Sequence, residues 1–201
     1  MTECNQSQFE FAPHFSRSVV AGFDGGTITS DGGALLRTAD QDASAGSREE
    51  VERIVRQLRK AWPDVRIILR ADSGFCREEL MSWCEREGVD YVLCLARNER
   101  LRKLIEAQMV TAALLEAETG KLARVFTEFL YKTTTGSWSR MRRVVAKAEH
   151  LQDKENPRYV ATSLTAEEWP AQRLHEELYC ERGEYEHDTD AGRITAAFGG
   201  R

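Results

Sequence analysis

The sequence predicts an α/β domain in which a mixed sheet is flanked by helices and carries an inserted antiparallel ribbon. Two short apolar runs, residues 65–70 and 91–96, alternate with helical stretches, an order typical of parallel strand pairing. A later stretch, residues 124–150, indicates two antiparallel strands, and residues 158–164 indicate a further strand. The chain has 201 residues, 41% of them hydrophobic, which is enough for one core.

Helices are expected on both sides of the first apolar run. Ser47 and Glu50 form a capping box before a helix that Pro63 ends. A second helix is predicted over residues 77–87 and a longer one over residues 98–119, each followed by a glycine that can end it. The last helix is predicted to begin at Thr165.

Composition excludes several classes of protein. The net charge of −5 excludes a uniformly basic nucleic-acid binder but leaves room for a local basic patch. No apolar run approaches the roughly 20 residues of a membrane helix, and the first residues lack the pattern of a secretory signal, so we expect a cytoplasmic protein. The five cysteines form no C-x-x-C pair, which argues against a disulfide framework or a zinc cluster.

Asp72 is the first candidate for chemistry, because it directly follows the first predicted buried strand. Open α/β sheets place their ligands just past the carboxyl ends of such strands. The same position also suits a purely structural role, in which Asp72 fixes a turn or caps the helix at Arg77. The spacing alone leaves both interpretations open.

A second candidate lies in the predicted last helix. Tyr179, Arg182 and Glu186 are spaced i, i+3 and i+7, so they share one helical face, and Arg182 can brace Glu186. The alternative is an ordinary solvated helix with charged side chains.

The segment from residue 132 to 147 is the third candidate, because it holds five cations and no carboxylate. We expect a hairpin with an exposed tryptophan at its tip, which could contact phosphates and stack against bases. The alternative is an edge ribbon whose cations discourage aggregation. The candidate DNA-binding residues are Lys132, Trp138, Arg140, Arg142, Arg143 and Lys147.

Several stretches together resemble one family. They are the turn-rich segment at residues 23–36, the run from residue 42 to 101 with its core Arg70–Cys76, the ribbon at residues 136–151, and the segments 156–164 and 178–186. In these pieces, which cover most of residues 18–186, the chain resembles bacterial insertion-sequence transposases of the DDE superfamily, with the group-one DDE transposase domain.

The resemblance implies an RNase H-like core that cuts and joins double-stranded DNA at the ends of an insertion sequence. It implies two divalent ions, Mg²⁺ or Mn²⁺, held by three carboxylates. Asp72 matches the second acidic position, and Glu186 matches the third, with Glu184 as the fallback. Arg182 would brace the carboxylate or a phosphate. A second copy of the chain or an intact transposase is the expected protein partner.

The chain also departs from the family pattern. The strand that carries the first catalytic aspartate is expected well before Asp72, yet residues 34–41 run almost directly into the connector at residue 42. We therefore expect an internally deleted, C-terminally truncated and inactive copy, with an incomplete core and an unpaired sheet edge. The expected divisions are an N-terminal segment (1–44), a partial catalytic domain (45–187) and an irregular tail (188–201).

Two other outcomes stay open. The chain could be a non-catalytic DNA-binding remnant that acts through the basic ribbon 132–147. It could also be a product that neither folds well nor binds DNA, in which case broad, non-cooperative unfolding is expected.

Overall fold

A mixed sheet, flanked by helices, organises the fold. The computed structural model describes residues 8–14, 17–22, 28–30, 47–134, 137–151, 154–180 and 195–199. In chain order the elements are β1 (Gln8–His14), β2 (Arg17–Gly22), β3 (Ile28–Ser30), α1 (Ser47–Ala61), β4 (Arg66–Ala71), α2 (Glu78–Glu87), β5 (Asp90–Leu95), α3 (Glu99–Leu104), α4 (Glu106–Thr119), β6 (Ala123–Tyr131), β7 (Arg142–Leu151), β8 (Lys154–Glu155), β9 (Arg158–Thr162), α5 (Ala171–Arg173) and β10 (Thr195–Gly199). A 3₁₀ turn, Ser73–Phe75, follows β4, and a π-helical turn, Leu174–Tyr179, continues α5.

The main sheet has eight strands in the order β3-β10-β4-β5-β9-β7-β6, with β8 paired to β7, while β1 and β2 form a separate hairpin. β4 and β5 run parallel, with Ala71 opposite Leu93, as the strand–helix–strand pattern predicts. β6 and β7 form the long antiparallel ribbon, and β9 pairs antiparallel with both β5 and β7. The predicted α/β class with a mixed sheet and an inserted ribbon is therefore confirmed, and it is compatible with an RNase H-like fold.

Helix boundaries follow local chemistry. Gly88 and Gly120 end α2 and α4 in the left-handed conformation, with φ of 63° and 64°, which glycine adopts without steric cost. The single long helix predicted over residues 98–119 is instead two, because Ile105 leaves the helical conformation and becomes fully buried. None of the helices in the described ranges is long and apolar enough to cross a bilayer.

Strand alternation gives the sheet two different faces. Ile67, Leu69 and Ala71 of β4 belong to the larger core, which also contains buried residues of α1, α2 and α4. Ile68 points the other way, into a smaller cluster with Leu174 and Leu178 of the C-terminal turn. Because successive side chains of a strand alternate between faces, even-numbered positions of β4 lie on the side that α5 covers.

The C-terminal helix begins later than predicted. Residues 166–168 form a turn, and α5 starts after Pro170 rather than at Thr165. Tertiary contacts explain the shift: Glu168 binds Arg66 of β4, and the Trp169 carbonyl accepts a hydrogen bond of 2.8 Å from Arg143. These contacts hold the segment outside a regular helix.

The tail was predicted to be irregular over residues 188–201, and this is wrong for residues 195–199. They form β10, which pairs antiparallel with β4 from Thr195 opposite Arg70 to Gly199 opposite Arg66. The expected unpaired sheet edge does not lie at β4, because β10 pairs there; among the described residues the outer strands of the sheet are β3 and β6. The backbone N–H and C=O groups along the outer edge of β4 need hydrogen-bond partners. The short β10 segment, which consists mainly of small residues, provides them.

The tip of the ribbon is anchored to α2 rather than exposed. Trp138 is only 3% exposed, so the prediction of an exposed tryptophan is wrong. Its ring packs edge-on against Tyr131, with centroids 5.7 Å apart, and the Arg142 guanidinium lies over it at 5.6 Å. Burial of a large indole is favourable wherever a neighbouring surface can cover it.

Arg142 is the centre of this anchor. Its buried guanidinium donates to Glu78 and Glu85 of α2, each at 2.7 Å. Burial alone would raise the pKa of Glu78, but hydrogen bonds from Arg142 and Ser139 outweigh it and hold this pKa well below its usual range. The ribbon cation therefore joins β7 to α2.

We predict that Arg142→Met lowers the free energy of unfolding by about 3 kcal/mol, because it leaves two partly buried carboxylates without their partner. Arg140→Gln is the matched control. Arg140 also pairs with Glu85, but its side chain is 58% exposed, so we expect a loss below about 1 kcal/mol. Urea unfolding of both variants measures the difference, and equal losses would contradict the anchoring role.

Candidate functional site

Asp72 lies at the carboxyl end of β4, where the polar turn begins. Its backbone is extended, and its Oδ1 accepts a hydrogen bond of 2.9 Å from the Gly74 amide, so it caps the 3₁₀ turn. A side chain at position 74 would start 3.2 Å from this oxygen, so glycine keeps the space beside the carboxylate open. Asp72 therefore has the turn-fixing role that the sequence suggested, and this role occupies only one of its two carboxylate oxygens. Asp72 makes no ion pair with the part of the chain that the structure describes.

Arg70 ties β4 to the C-terminal turn. It precedes Asp72 by two residues, so alternation places both on the face that α5 covers. The Arg70 side chain is buried, and its Nη1 donates to the carbonyl oxygen of Leu178 in the π-helical turn. Leu178 is therefore held beside the carboxyl end of β4, and the residues that follow it leave from that position.

The other predicted site residues lie beyond this point. Arg182, Glu184 and Glu186 fall within residues 181–194, outside the described residues. Tyr179 is described, and its ring packs against His175 with centroids 5.2 Å apart. The meeting of Asp72 and Glu186 stays a prediction.

His175 is a buried group that sequence reasoning missed, since the four histidines are scattered along the chain. Its side chain is 2% exposed, and its Nδ1 lies 3.4 Å from the sulfur of Cys180. Burial and the nearby charges of Lys147 and Arg124 lower the pKa of His175 to about 4. At neutral pH the imidazole is therefore uncharged, which suits a packing role beneath the C-terminal turn.

The ribbon residues predicted to contact DNA are engaged within the protein. Arg143 binds Glu128 and the carbonyls of Leu164 and Trp169, and Lys147 binds Glu149 at 2.8 Å. Burial alone would raise the pKa of Glu149, but hydrogen bonds from Lys147 and Arg124 lower it to about 2.

The two remaining ribbon cations also have partners. Lys132 donates to the Ser139 carbonyl at 2.9 Å, and Arg140 pairs with Glu85. Together with the Arg142 anchor, these contacts give every predicted ribbon cation a partner within the protein, most often a carboxylate.

Comparison with known protein families supplies the identification. The model of one family, described as transposase DDE domain group 1, matches residues 34–196. The chain belongs to the group 1 DDE transposase family. Neither the curated proteins nor the solved structures gave a significant match. The matched region of this transposase domain includes Asp72, the ribbon and the C-terminal turn, as the resemblance implies.

DDE transposases generally use divalent metal ions, and the chemistry of Asp72 fits such an ion. Hard cations prefer carboxylate oxygens, and the second Asp72 oxygen has no hydrogen bond to any described residue. Within the described ranges, no group of three or more His, Cys, Asp or Glu residues could hold a metal ion. The second predicted ligand, Glu186, lies outside these ranges.

We predict that Arg70→Met lowers the free energy of unfolding by about 1–3 kcal/mol, because the buried Leu178 carbonyl loses its donor. Arg66→Met on the same strand is the control. Its ion pairs to Asp90 and Glu168 are substantially exposed, so their loss should cost less than about 1 kcal/mol.

Hydrogen exchange adds a local readout to this comparison. We expect amides of residues 174–180 to exchange faster in Arg70→Met and to keep their protection in Arg66→Met. Unchanged exchange in Arg70→Met would contradict the tie between β4 and the C-terminal turn.

Proposed function

We propose that this transposase domain binds double-stranded DNA at the ends of an insertion sequence and holds a divalent ion, Mg²⁺ or Mn²⁺, through Asp72 and Glu186. We further propose that it does not complete strand cleavage and transfer, because none of the described residues supplies a third carboxylate beside Asp72. Arg182 is proposed to brace Glu186 or a phosphate near the ion.

The position of Asp72 supports the first part. A partly exposed carboxylate stands at the carboxyl end of a buried strand, uses one oxygen to fix its own turn and keeps the other for a ligand. The hydrogen bond from Arg70 to the Leu178 carbonyl holds the C-terminal turn on the same face of β4 as Asp72. The segment that contains Glu186 follows this turn in the sequence. In this arrangement Asp72 needs no rearrangement to present an oxygen to an ion.

The two strands that pair with β4 support the proposed lack of strand cleavage and transfer. β10 on one side has the sequence TAAFG, which contains no acid. On the other side, β5 continues past Leu93, the partner of Ala71, to Cys94, which is therefore the β5 residue nearest Asp72. The one carboxylate of β5, Asp90, lies at the opposite end of the strand, where it is the partner of Ile68. Among the described residues, neither neighbouring strand offers a carboxylate to share an ion with Asp72.

A bound divalent ion would stabilise charge on the oxygens of a phosphate undergoing displacement. The residues of this chain would orient that phosphate, with Asp72 fixed by its turn and Arg182 supplying positive charge. Two carboxylates can hold one ion but leave the second position of a two-metal site short of ligands. Binding without turnover is the expected result.

DNA binding through the ribbon alone is the alternative function. Arg142, Arg143 and Lys147 are buried or partly buried in ion pairs with carboxylates of α2, β6 and β7. A DNA contact by the ribbon would rest mainly on exposed Arg140, and it stays a prediction.

Metal binding tests the proposed ligands directly. Mn²⁺ titration followed by electron paramagnetic resonance should show binding by the full chain and at least a tenfold weaker affinity in Asp72→Ala, equivalent to about 1.4 kcal/mol. Glu186→Gln should weaken binding similarly. Asp64→Ala, an exposed aspartate in the turn after α1, is the control and should bind as the unchanged protein does.

Cleavage tests the absence of turnover. The purified chain is incubated with Mg²⁺ or Mn²⁺ and a plasmid that carries the inverted repeats flanking its gene. We expect no more nicked or joined product than with Asp72→Ala. Robust product that disappears in Asp72→Ala would overturn the proposed lack of catalysis, and Mn²⁺ binding that survives Asp72→Ala would overturn the ligand assignment.

A further inference from the structure

Arginines of this protein differ in whether a carboxylate pairs with them. The ribbon arginines form one group and are matched by carboxylates, as the pairs of Arg142 with Glu78 and of Arg143 with Glu128 show. Arg77, Arg97 and Arg158 represent a second group, because they are exposed near the carboxyl ends of β4 and β5 and pair with no carboxylate among the described residues.

Arg158 is the clearest member of the second group. It opens β9, and its exposed side chain forms no hydrogen bond or ion pair with any described residue. Val160, two residues further along β9, belongs to the smaller core cluster. Because side chains alternate along a strand, Arg158 lies on the same face, which the C-terminal turn covers.

Arg97 and Arg77 have only neutral partners among the described residues. Arg97 follows β5, and its Nη2 donates to the Asn156 side-chain oxygen at 2.7 Å. Arg77 follows the turn of Asp72, and its Nε donates to the Gly74 carbonyl at 2.9 Å. Each contact positions the guanidinium without neutralising its charge. By contrast, nearby Arg102 is neutralised by Glu155 at 2.9 Å.

Strand register relates Arg158 to Asp72. Ala71 is opposite Leu93, and Cys94 is opposite Val160, so Arg158 lies two strands across from Asp72 and two residues further along. With strands about 4.8 Å apart and a rise of about 3.3 Å per residue, the separation at the backbone is about 12 Å. This distance corresponds to about three or four nucleotides at 3.4 Å of rise per strand.

We propose that Arg77, Arg97 and Arg158 bind backbone phosphates of DNA on either side of the phosphate that Asp72 faces. Charges without carboxylate partners are the ones available to an anionic polymer, and guanidinium groups match phosphate geometry. The inference rests on the proposed function for its substrate, and it assigns DNA binding to the carboxyl edge of the sheet rather than to the ribbon.

Fluorescence anisotropy with a short labelled DNA duplex of arbitrary sequence tests this assignment, in the absence of divalent metal and over a range of salt concentrations. Arg97→Gln and Arg158→Gln should each reduce the slope of log affinity against log salt by about 1, and the double variant by about 2. Arg77→Gln should behave like the other single variants.

Arg56→Gln is the control with the same chemical change, because it lies on α1, on the other side of the sheet, with a side chain 76% exposed. Arg140→Gln lies on the ribbon, so it distinguishes this assignment from the alternative in which the ribbon binds DNA. Both should retain the slope and affinity of the unchanged protein. Circular dichroism melting checks that each variant is folded.

The proposal is overturned if the folded Arg97→Gln/Arg158→Gln double variant keeps the salt slope of the unchanged protein. It is also overturned if Arg140→Gln reduces that slope as much as the double variant does, or if the unchanged chain does not bind the duplex. The readout is independent of metal binding and catalysis. DNA binding that depends on these arginines, without Mn²⁺ binding at Asp72, would therefore refute the proposed metal site and leave this inference standing. Mn²⁺ binding at Asp72, with DNA binding that does not depend on these arginines, would refute this inference alone.

Discussion

The hydrogen bond from Arg70 to the Leu178 carbonyl is the contact on which the account of the site depends. It joins the strand that presents Asp72 to the turn from which the segment with Arg182 and Glu186 departs. Because the guanidinium is buried, losing the Leu178 acceptor would leave a charged group in an apolar surrounding with one hydrogen bond fewer. The smaller core cluster of Ile68, Leu174 and Leu178 reinforces the same junction. One face of β4 thereby serves both packing and the presentation of a carboxylate.

Charge is used differently in different parts of the transposase domain. In the ribbon, cations and carboxylates form partly buried ion pairs that join β7 to α2 and to β6, so these cations stabilise the fold. At the carboxyl edge of the sheet, arginines are held by carbonyl or amide oxygens and keep their charge. A net charge of −5 therefore coexists with exposed arginines at this edge that pair with no described carboxylate.

The sequence predicted the parallel pair, the ribbon, the glycine helix ends and the position of Asp72 in the turn after a buried strand, because these features depend on local periodicity and turn chemistry. It did not predict the burial of Trp138, since partners for an indole come from distant elements such as Tyr131 and Arg142. The strand at residues 195–199 was missed because small residues carry little strand preference, and its pairing depends on the open edge of β4. The π-helical turn changes the helical phase before residue 180, which no spacing rule based on 3.6 residues could anticipate.

We propose that Asp72 and Glu186 bind one ion although 114 positions separate them in the sequence. The decisive measurement is a crystal structure of the full chain grown with Mn²⁺, in which the ion is located by its anomalous scattering. We expect one anomalous peak within coordination distance of carboxylate oxygens from both residues. A peak beside Asp72 without Glu186, or the two carboxylates on opposite sides of the molecule, would refute the shared site.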